Sequence, residues 1–474
     1  MCIRDRLRVW GGGIYEEDSF YDIADELGIL IWQDFMWSCG VYPDGPKERR
    51  LARQEANYQV KRLRNHPCIA IWCGDNECDW AFDWGRLTHA RRLAHGIQRK
   101  VLPETCRSLD PTRPYIPSSP HSPTDPDPNA SHEGDQHQYR WLSFDRDSDS
   151  HYSRFFQDRS RFVSEFGRGS PPSVETLSRY NFNRAEMDLR KRAWSGQAPP
   201  NAPDDQYGLV SGMQFMHGQF QKRVLEHYRR LWPTCGGTLH WKFNDPFSAN
   251  GLGFGLMAGV DPAGVPKLPY YYTKRAYAPV SASLKDEGDG NYSVWVCNGT
   301  DTTFEGEILI DLHHQDNRRR SVLNARVRVP ADVSAPVAEL SLKNLGFSRW
   351  EDYRDNVAAL HLLRRGREVY FDTHWFMDVA REVRLRLIWG KVTARLKRRS
   401  PAELLVELKA DRYVRPVELL MPGVNPSYDD NFIDLLAGVP RTVAVRPGPC
   451  EQTDLTNRLL IVRGWNFQPV TIDT

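Results

Sequence analysis

Apolar runs of strand length alternate with helical patterns through the first 278 residues of the chain. The run Ile69–Cys73 is typical, because a charged helical pattern over residues 46–65 precedes it and another over residues 88–108 follows it. Strands that alternate with helices form parallel sheets, since each helix carries the chain back to the starting end of the sheet. Seven runs are predicted to be strands: residues 7–10, 29–35, 69–73, 115–117, 136–141, 162–165 and 238–243.

Several of these runs end in polar residues, which favours a closed barrel over an open sheet. Active sites of (β/α)8 barrels are built at the carboxyl ends of the strands. We therefore predict an α/β fold in which a (β/α)8 barrel occupies residues 1–278. There are seven runs rather than eight, and a core strand already begins at Leu7, so we predict that the barrel lacks its first β/α unit. We expect the chain to be the C-terminal part of a longer protein.

The pattern changes after Pro279 to apolar and polar residues in alternation, with turn residues between the runs. Such alternation is typical of antiparallel strands with one buried face. We predict two all-β, immunoglobulin-like sandwich domains, the first over residues 279–381 and the second over residues 382–474. Their predicted strands are residues 291–297, 304–312, 325–329 and 369–372, then residues 385–389, 404–408, 417–421 and 442–446.

The composition argues against several classes of partner. The 63 basic and 61 acidic residues give a net charge of +2, so no strong field attracts nucleic acid or a membrane surface. Nine cysteines are scattered along the chain, an odd number that predicts free thiols rather than a disulfide framework. No apolar run reaches the roughly 18 residues of a membrane span. The first six residues lack the apolar centre of a signal peptide, and localisation is left open between cytoplasm, periplasm, lysosome and secretion.

Two glutamates stand at the ends of apolar runs. Glu77 follows Ile69–Cys73, and Glu165 ends residues 162–165, 88 positions later. Cleavage of a glycoside needs one carboxylic acid to protonate the leaving oxygen and a second carboxylate to attack or stabilise the anomeric carbon. Side chains at the tips of two strands of one barrel lie at the same face. The pair therefore predicts a glycosidase site, with no cofactor and no metal.

Five sequence blocks carry a resemblance to a known family. They are LRVWGGGIYE at residues 7–16, IWQDF at 31–35, WCGDNE at 72–77, RFVSEFG at 161–167 and GTLHWKFND at 237–245. In this order they resemble the β-mannosidases of glycoside hydrolase family 2, in clan A. The resemblance implies a retaining exo-β-mannosidase that hydrolyses terminal, non-reducing β-D-mannose residues by double displacement. The implied partners are β-mannoside oligosaccharides or glycan fragments.

The resemblance also implies roles for individual residues. Glu77 matches the acid/base at the end of barrel strand four, and Glu165 matches the nucleophile at the end of strand seven. Asn76 matches the amide that binds the sugar 2-hydroxyl. Trp10 and Trp241 match aromatic walls of the subsite that holds the cleaved sugar.

Two further residues are candidate substrate contacts. His137 either binds sugar hydroxyls, as we expect, or is a structural histidine, and the same alternatives hold for His132. Asp34 is either a sugar contact or the partner of a nearby arginine.

The chain departs from the family pattern at some positions. Asp75 stands where the family usually has Asn, so it either raises the pKa of Glu77 by like-charge coupling or points away from it. Arg168 replaces an aromatic residue. Two alternatives therefore stay open: another sugar preference within the family, such as glucosamine, galactose or glucuronic acid, and an inactive sugar-binding fragment.

Overall fold

The computed structural model describes residues 5–84, 95–139, 156–179, 205–245, 257–400, 402–448 and 455–474. Residue contacts divide the chain into two compact units. The first unit contains residues 1–140, 157–166 and 231–240. The second contains residues 141–156, 167–230 and 241–474.

The first unit is built on parallel strands. Four strands form one sheet in chain order, and two more pair in a second parallel sheet. The strands are β1 (Arg6–Val9), β2 (Leu30–Asp34), β3 (Ile69–Cys73), β4 (Tyr115–Ile116), β5 (Gln136–Gln138) and β6 (Val163–Phe166). The helices are α1 (Asp18–Leu27), α2 (Pro46–Leu63), α3 (Cys78–Trp84) and α4 (Leu102–Leu109), the last preceded by a π-helical turn at Ile97–Val101.

Local sequence signals explain where these elements begin and end. Helix α1 buries Tyr21 and Ala24 and ends at Gly28, whose φ of 66° is the left-handed conformation that glycine adopts without strain. Helix α2 has Pro46 in its first turn, where the missing backbone N–H is not needed. The strand predicted at Ile69–Cys73 therefore has its observed bounds, and α2 begins at Pro46, where the predicted helical pattern begins.

Alternation along the strands separates a helix-facing core from an inner face. In β1, Val9 packs with α1 and α2 residues in one apolar cluster, while Arg8 faces the other way. Trp32 and Cys73, together with Leu239, form a small apolar layer on the inner side. This layer lies beneath the polar residues at the strand ends.

The predicted strand at residues 238–243 is wrong as a regular strand. Among the described residues of the first unit, Thr238 makes a single parallel bridge to Val163, and Leu239 N donates to Val163 O at 2.8 Å. The apolar pattern of this segment reflects the burial of Leu239 rather than a full ladder. The residues Arg140 and Trp141, at the end of the predicted fifth strand, lie outside the described residues.

The second unit combines helices with two sets of antiparallel strands. Its helices are α5 (Val174–Arg179), α6 (Gln206–Arg230), α7 (Leu268–Ala276), α8 (Trp350–Asp355) and α9 (Val379–Glu382). The first set of strands is β7 (Val280–Gly288), β8 (Asn291–Asn298), β9 (Phe304–His314), β10 (Arg319–Val329), β11 (Val333–Ser341), β12 (Asn356–Arg364) and β13 (Arg367–His374). The second set is β14 (Val392–Ser400), β15 (Glu403–Ala410), β16 (Val414–Leu420), β17 (Ser427–Tyr428), β18 (Ile433–Leu435), β19 (Arg441–Arg446), β20 (Leu459–Arg463) and β21 (Val470–Asp473).

Each set forms a two-sheet sandwich with its own apolar core. The sheets of the first are β10-β9-β12-β13 and β11-β8-β7, and those of the second are β14-β15-β19-β17 and β18-β16-β20-β21. This arrangement agrees with two successive sandwiches. The predicted domain boundaries near residues 278 and 381 stay predictions.

The strand predicted at residues 385–389 is also wrong. Leu385 and Leu387 are buried, which produces the alternating pattern, but the segment joins no sheet. Side-chain amides replace the ladder: Gln315 Oε1 accepts from Ile388 N at 2.9 Å, and Asn466 Nδ2 donates to Ile388 O at 2.9 Å. The burial of alternate residues in an extended segment therefore produced a strand-like sequence pattern without strand pairing.

Two predictions from composition can be compared with the described part of the chain. Its seven described cysteines are all free thiols, and six of them are buried. None of its helices is long and apolar enough to cross a membrane.

Candidate active site

The candidate site lies at the carboxyl ends of the strands of the first unit. Parallel bridges continue past the strands and join Asn76 to Ser38 on one side and to Ser119 on the other. Asn76 N donates to Trp37 O at 2.9 Å, and Glu77 N donates to Ser119 O at 2.7 Å. Glu77 has a φ of 59°, so the chain turns sharply at this residue as it leaves the sheet. The backbone therefore presents the Asn76 and Glu77 side chains at the strand tips.

The structure brings Glu77 and Glu165 together, as the sequence predicted. Their carboxylate oxygens and a ring nitrogen of His137 lie within 4.8 Å of one another. His137 Nδ1 is 2.7 Å from Glu77 Oε1 and 3.4 Å from Glu165 Oε2. His137 is completely buried, and Glu165 is nearly so. The two acids thus share one small space with the imidazole beside them.

Arg8 supplies the positive charge of this cluster. Its Nη1 donates to Glu165 Oε1 at 2.7 Å, and its Nη2 donates to Asp34 Oδ2 at 2.7 Å and to Asn76 Oδ1 at 3.0 Å. The guanidinium also lies 5.6 Å from the centre of the Trp32 ring. These fixed donors hold one oxygen of Glu165 and the oxygen of the Asn76 amide in place.

Asp34 is completely buried and serves as the partner of Arg8. Besides Arg8, its oxygens accept from Trp32 Nε1 at 2.8 Å and from Gly11 N at 3.0 Å. Burial raises the pKa of Asp34, and Arg8 opposes that rise. Of the two roles open to Asp34, the structure favours the arginine partner over the sugar contact.

The environments of the two glutamates differ. Burial raises the pKa of both Glu77 and Glu165. Direct donors oppose this effect at Glu165, where Arg8 holds one oxygen and the Tyr139 hydroxyl donates to the other at 2.9 Å. Among the described residues, Glu77 has no arginine or lysine in contact; its oxygens lie 2.7 Å from His137 Nδ1 and 3.4 Å from the Cys39 thiol. The two carboxyl groups therefore differ in their partners, since a guanidinium contacts Glu165 and not Glu77.

The Asn76 amide is firmly held on one side only. Its oxygen accepts from Arg8, while its Nδ2 has two long contacts, both 3.4 Å, to Ser38 Oγ and Cys39 Sγ. The N–H groups are therefore the less committed part of the side chain, which suits a hydrogen bond to a hydroxyl group. Burial raises the pKa of Cys39 to about 11, so this residue is a neutral thiol.

Trp10 is held at the end of β1 by a close approach to glycine. A Cβ at Gly12 would lie 2.0 Å from Trp10 Cη2, and one at Gly11 would lie 2.7 Å from Phe35 O. Only glycine fits at these positions, which explains the consecutive glycines after Trp10. Trp241 belongs to the second unit, and its role as a wall of the site stays a prediction.

Two other sequence hypotheses are resolved by the contacts. Asp75 Oδ1 accepts from Ser118 Oγ at 2.5 Å and from Cys78 N at 3.0 Å, so its carboxyl is engaged away from Glu77. His132 is largely exposed and lies 3.7 Å from Asp125, on the surface rather than among the acids.

Some of the site residues were not identified from the sequence. Arg8 lies between the apolar Leu7 and Val9 in β1, a strand that also contains Arg6, and no separate role was predicted for it. Tyr139 lies within the segment predicted as the fifth strand. Ser119 and Asp135 carry no recognisable pattern, because they flank a long loop and their side chains are brought together by the bridge between His121 and Asp135.

Two groups of side chains in the described residues could each offer three ligand atoms to a metal ion. The first is Glu77, His137 and Glu165, and the second is Asp25, His66 and Cys68. In the first, Arg8 already neutralises Glu165, so an added cation would be repelled. In the second, Asp25 accepts from Cys68 N at 2.8 Å and lies 2.7 Å from His66 Nδ1, a clamp that needs no ion. We assign no metal to either, and the absence of a cofactor stays a prediction.

Family models match three parts of the chain. Residues 16–122 match the TIM-barrel domain of family 2 glycosyl hydrolases. Residues 290–379 match a mannosidase Ig/CBM-like domain, and residues 391–466 match an Ig-fold domain. The order confirms the predicted fold class, a barrel followed by two immunoglobulin-like domains. The chain belongs to glycoside hydrolase family 2.

The similar proteins include several β-mannosidases. β-Mannosidase B of Thermothelomyces thermophilus is 30% identical over 96% of this chain and 58% of its own length. The β-mannosidase of Mus musculus is 29% identical over 72% of this chain and 43% of its own length. The crystal structure of a β-D-mannosidase from Dictyoglomus thermophilum superposes with a TM-score of 0.82 at 27% identity, over 98% of this chain and 56% of that chain. The chain thus spans between 43% and 58% of the length of these three relatives.

Proposed function

We propose that this chain carries the catalytic centre of a retaining β-mannosidase, which removes terminal, non-reducing β-D-mannose residues by double displacement. The observation that carries this proposal is the short distance between the two acids, whose oxygens lie within 4.8 Å. Retaining glycosidases place their carboxyl groups about 5–5.5 Å apart, whereas inverting enzymes leave about 6.5–9.5 Å for a water molecule. The preference for mannose rests on the similarity to β-mannosidases.

In the first step, Glu165 attacks the anomeric carbon and forms a covalent mannosyl-enzyme. Arg8 and Tyr139 support this role, because their donors hold Glu165 as a carboxylate aimed in a fixed direction. Glu77 transfers its proton to the leaving oxygen as the glycosidic bond breaks. The less committed N–H groups of Asn76 bind the 2-hydroxyl of the mannose ring.

In the second step, Glu77 acts as a base. It removes a proton from a water molecule, which attacks the anomeric carbon from the opposite side and releases mannose with retained configuration. Glu165 leaves as a carboxylate and is again paired with Arg8. The hydrolysis thus needs only side chains of the first unit for proton transfer and nucleophilic attack.

The proposal is tested with a panel of 4-nitrophenyl β-glycosides carrying mannose, glucose, galactose, glucosamine and glucuronic acid. We expect the mannoside to have the highest kcat/KM and proton NMR to show β-mannose as the first product. Equal or faster turnover of another glycoside would contradict the sugar preference, and α-mannose as first product would contradict retention. Glu165→Gln is expected to remove turnover. Binding of mannosides without hydrolysis would instead support a sugar-binding fragment.

A further inference from the structure

A chain of polar side chains leads from Glu77 into the interior of the first unit. His137 Nδ1 lies 2.7 Å from Glu77 Oε1, and His137 Nε2 lies 3.0 Å from Ser119 Oγ. Ser119 Oγ in turn donates to Asp135 Oδ2 at 2.7 Å. His137, Ser119 and Asp135 are all buried, so no solvent competes for these contacts.

The carboxylate of Asp135 fixes the direction of these hydrogen bonds. Its Oδ1 accepts from His121 N at 2.9 Å, and its Oδ2 accepts from the hydroxyls of Ser119 and Ser164. An ionised carboxylate can only accept, and the contact of Ser119 Oγ with Asp135, at 2.7 Å, is shorter than its contacts with His137 Nε2 at 3.0 Å and Ser164 Oγ at 3.2 Å, so we assign the single hydroxyl proton of Ser119 to Asp135. The lone pairs of Ser119 Oγ then face His137, and we assign the imidazole proton to Nε2, because the Arg8 guanidinium, which can only donate, lies farther from Nε2, at 3.4 Å.

The tautomer of His137 has a consequence for Glu77. Burial lowers the pKa of His137 to about 4, so the ring is neutral at neutral pH and carries one proton. With that proton on Nε2, Nδ1 is an acceptor. The 2.7 Å contact between Nδ1 and Glu77 Oε1 is then a hydrogen bond only if Glu77 donates.

We propose that Asp135, acting through Ser119 and His137, is the positioning residue that keeps the transferable proton on Glu77. The inference rests on the proposed function, in which Glu77 is the general acid.

Other charged or titratable groups also face Glu77 and His137. Arg8 Nη1 is 3.4 Å from His137 Nε2, Glu165 Oε2 is 3.4 Å from His137 Nδ1, and the Cys39 thiol touches Glu77. The Tyr139 ring lies beside the His137 ring and its hydroxyl binds Glu165. None of these groups contacts Ser119 or Asp135 in the described structure, so a change at Asp135 leaves them in place.

The decisive variant is Asp135→Asn, which keeps the shape of the side chain and reverses the direction of its hydrogen bond with Ser119. His121 N–H fixes the amide oxygen at the Oδ1 position, so the amide nitrogen takes the Oδ2 position and donates to Ser119 Oγ. Of the acceptors left to Ser119, His137 Nε2 at 3.0 Å is nearer than Ser164 Oγ at 3.2 Å, so we expect Ser119 to donate to Nε2, which moves the imidazole proton to Nδ1. Nitrogen NMR of the histidine ring should show the Nε2–H tautomer in the wild type and the Nδ1–H tautomer in the variant. Ser164→Ala is the matched control, because it removes a donor to Asp135 and the 3.2 Å contact to Ser119 Oγ but leaves the Asp135 carboxylate as the acceptor for Ser119, so it should keep the wild-type tautomer.

Kinetics give a second readout that a purely structural role would not move. With phenyl β-mannoside, whose leaving group needs protonation, Asp135→Asn should lower kcat/KM above neutral pH about tenfold or more. With 2,4-dinitrophenyl β-mannoside, whose leaving group needs no proton, kcat/KM should stay near the wild-type value. If Asp135→Asn does not fold, as judged by circular dichroism, Ser119→Ala should abolish the preference for Nε2–H.

The outcomes separate this inference from the proposed function. An Nδ1–H tautomer in the wild type, or an unchanged tautomer in Asp135→Asn, would overturn the role of Asp135. Equal losses with both mannosides would overturn it as well, because they would indicate a structural defect. A wild-type chain that hydrolyses no β-mannoside would contradict the proposed function, while the NMR result would still decide the direction of the hydrogen bonds.

Discussion

Two buried arginines, one in each unit, have similar immediate surroundings. In the second unit, Arg415 Nη1 donates to Glu382 Oε1 at 2.6 Å, and its guanidinium lies 4.9 Å from the centre of the Phe215 ring. In the first unit, Arg8 makes the corresponding bond to Glu165 at 2.7 Å. Each arginine is thus paired with a glutamate and lies beside an aromatic ring.

The two glutamates differ in what else surrounds them. Glu382 has its carboxylate filled by protein donors, since Gln219 Nε2 and Arg223 Nη2 also donate to it, at 2.9 and 2.8 Å. Glu165 instead shares its space with a second glutamate, and Arg8 must also neutralise Asp34. A carboxylate whose oxygens all accept hydrogen bonds from protein donors has a structural role. Where several carboxyl groups surround one cation, one of them can keep a proton, and that proton is available for acid catalysis.

The largest expected effect is that of Arg8→Met. It leaves the carboxylates of Asp34 and Glu165 buried without a cation, and removing one partner of a buried ion pair costs about 3–5 kcal/mol. Turnover should fall on the order of 10⁴-fold or more, as for groups that act as a catalytic unit. Arg415→Met should cost less in unfolding free energy, because Glu382 keeps Arg223, and should leave turnover intact. Urea denaturation and kinetics measure both, and similar losses for the two variants would contradict the contrast.

Glu77→Gln should damage activity while improving stability at high pH. For a poor leaving group, loss of the general acid should lower kcat about 10²- to 10⁴-fold. Burial raises the pKa of Glu77 above its ordinary value of 4.5, so the folded state binds the proton more tightly than the unfolded state. The contribution of Glu77 to stability is therefore complete below pH 4.5 and is lost as pH rises through the raised pKa. The amide of the variant cannot ionise, so the unfolding free energy of Glu77→Gln should fall less with pH than that of the wild type.

Glu382→Gln gives the matched test in the second unit. Both Arg415 and Arg223 lose their charged partner, and a hydrogen bond to a charged group contributes about 1.5–3 kcal/mol. We expect a loss of unfolding free energy of that order, with kcat/KM unchanged for all aryl glycosides. Thermal unfolding followed by circular dichroism measures the loss. A large change in kcat/KM would mean that the saturated cluster also takes part in the reaction.

The smallest expected effect is that of Cys39→Ala. The thiol donates a weak bond to Glu77 Oε2 at 3.4 Å, which stabilises the carboxylate form. Its removal should raise the pKa of Glu77 further, because burial then acts with less opposition. The alkaline limb of the pH–rate profile with phenyl β-mannoside should therefore move slightly to higher pH. A shift to lower pH, the direction expected for Asp135→Asn, would contradict the assigned donor.

Much of the fold could be predicted because its signals are local. Ile69–Cys73 was predicted with its observed ends, and α2 begins at Pro46, as the helical pattern over residues 46–65 predicted. The failures at residues 238–243 and 385–389 arose because a strand needs a partner, and partners are set by distant parts of the chain. Burial alone gave both segments a strand-like pattern.

The site was predictable only at the strand tips. Glu77 and Glu165 each follow an apolar run, and the parallel arrangement brings such ends together. The hydrogen bonds of Ser119 and Asp135 depend on the bridge that joins their loop to the sheet, which no sequence spacing specifies. The direction of the Asp75 side chain was open for the same reason, because Ser118, its partner, lies 43 positions away.

The left-handed backbone conformation at Glu77 lowers conformational stability, but it directs the carboxyl group into the candidate site. Residues with a Cβ lose roughly 1–2 kcal/mol in this conformation, and glycine does not. With a φ of 59°, position 77 would therefore be more stable with glycine than with glutamate. A library of this protein selected only for resistance to heat should drift towards glycine at this position and lose the acid, whereas selection on hydrolysis should preserve it. Comparing the two selections would show how much conformational stability the chain forgoes to aim one carboxyl group.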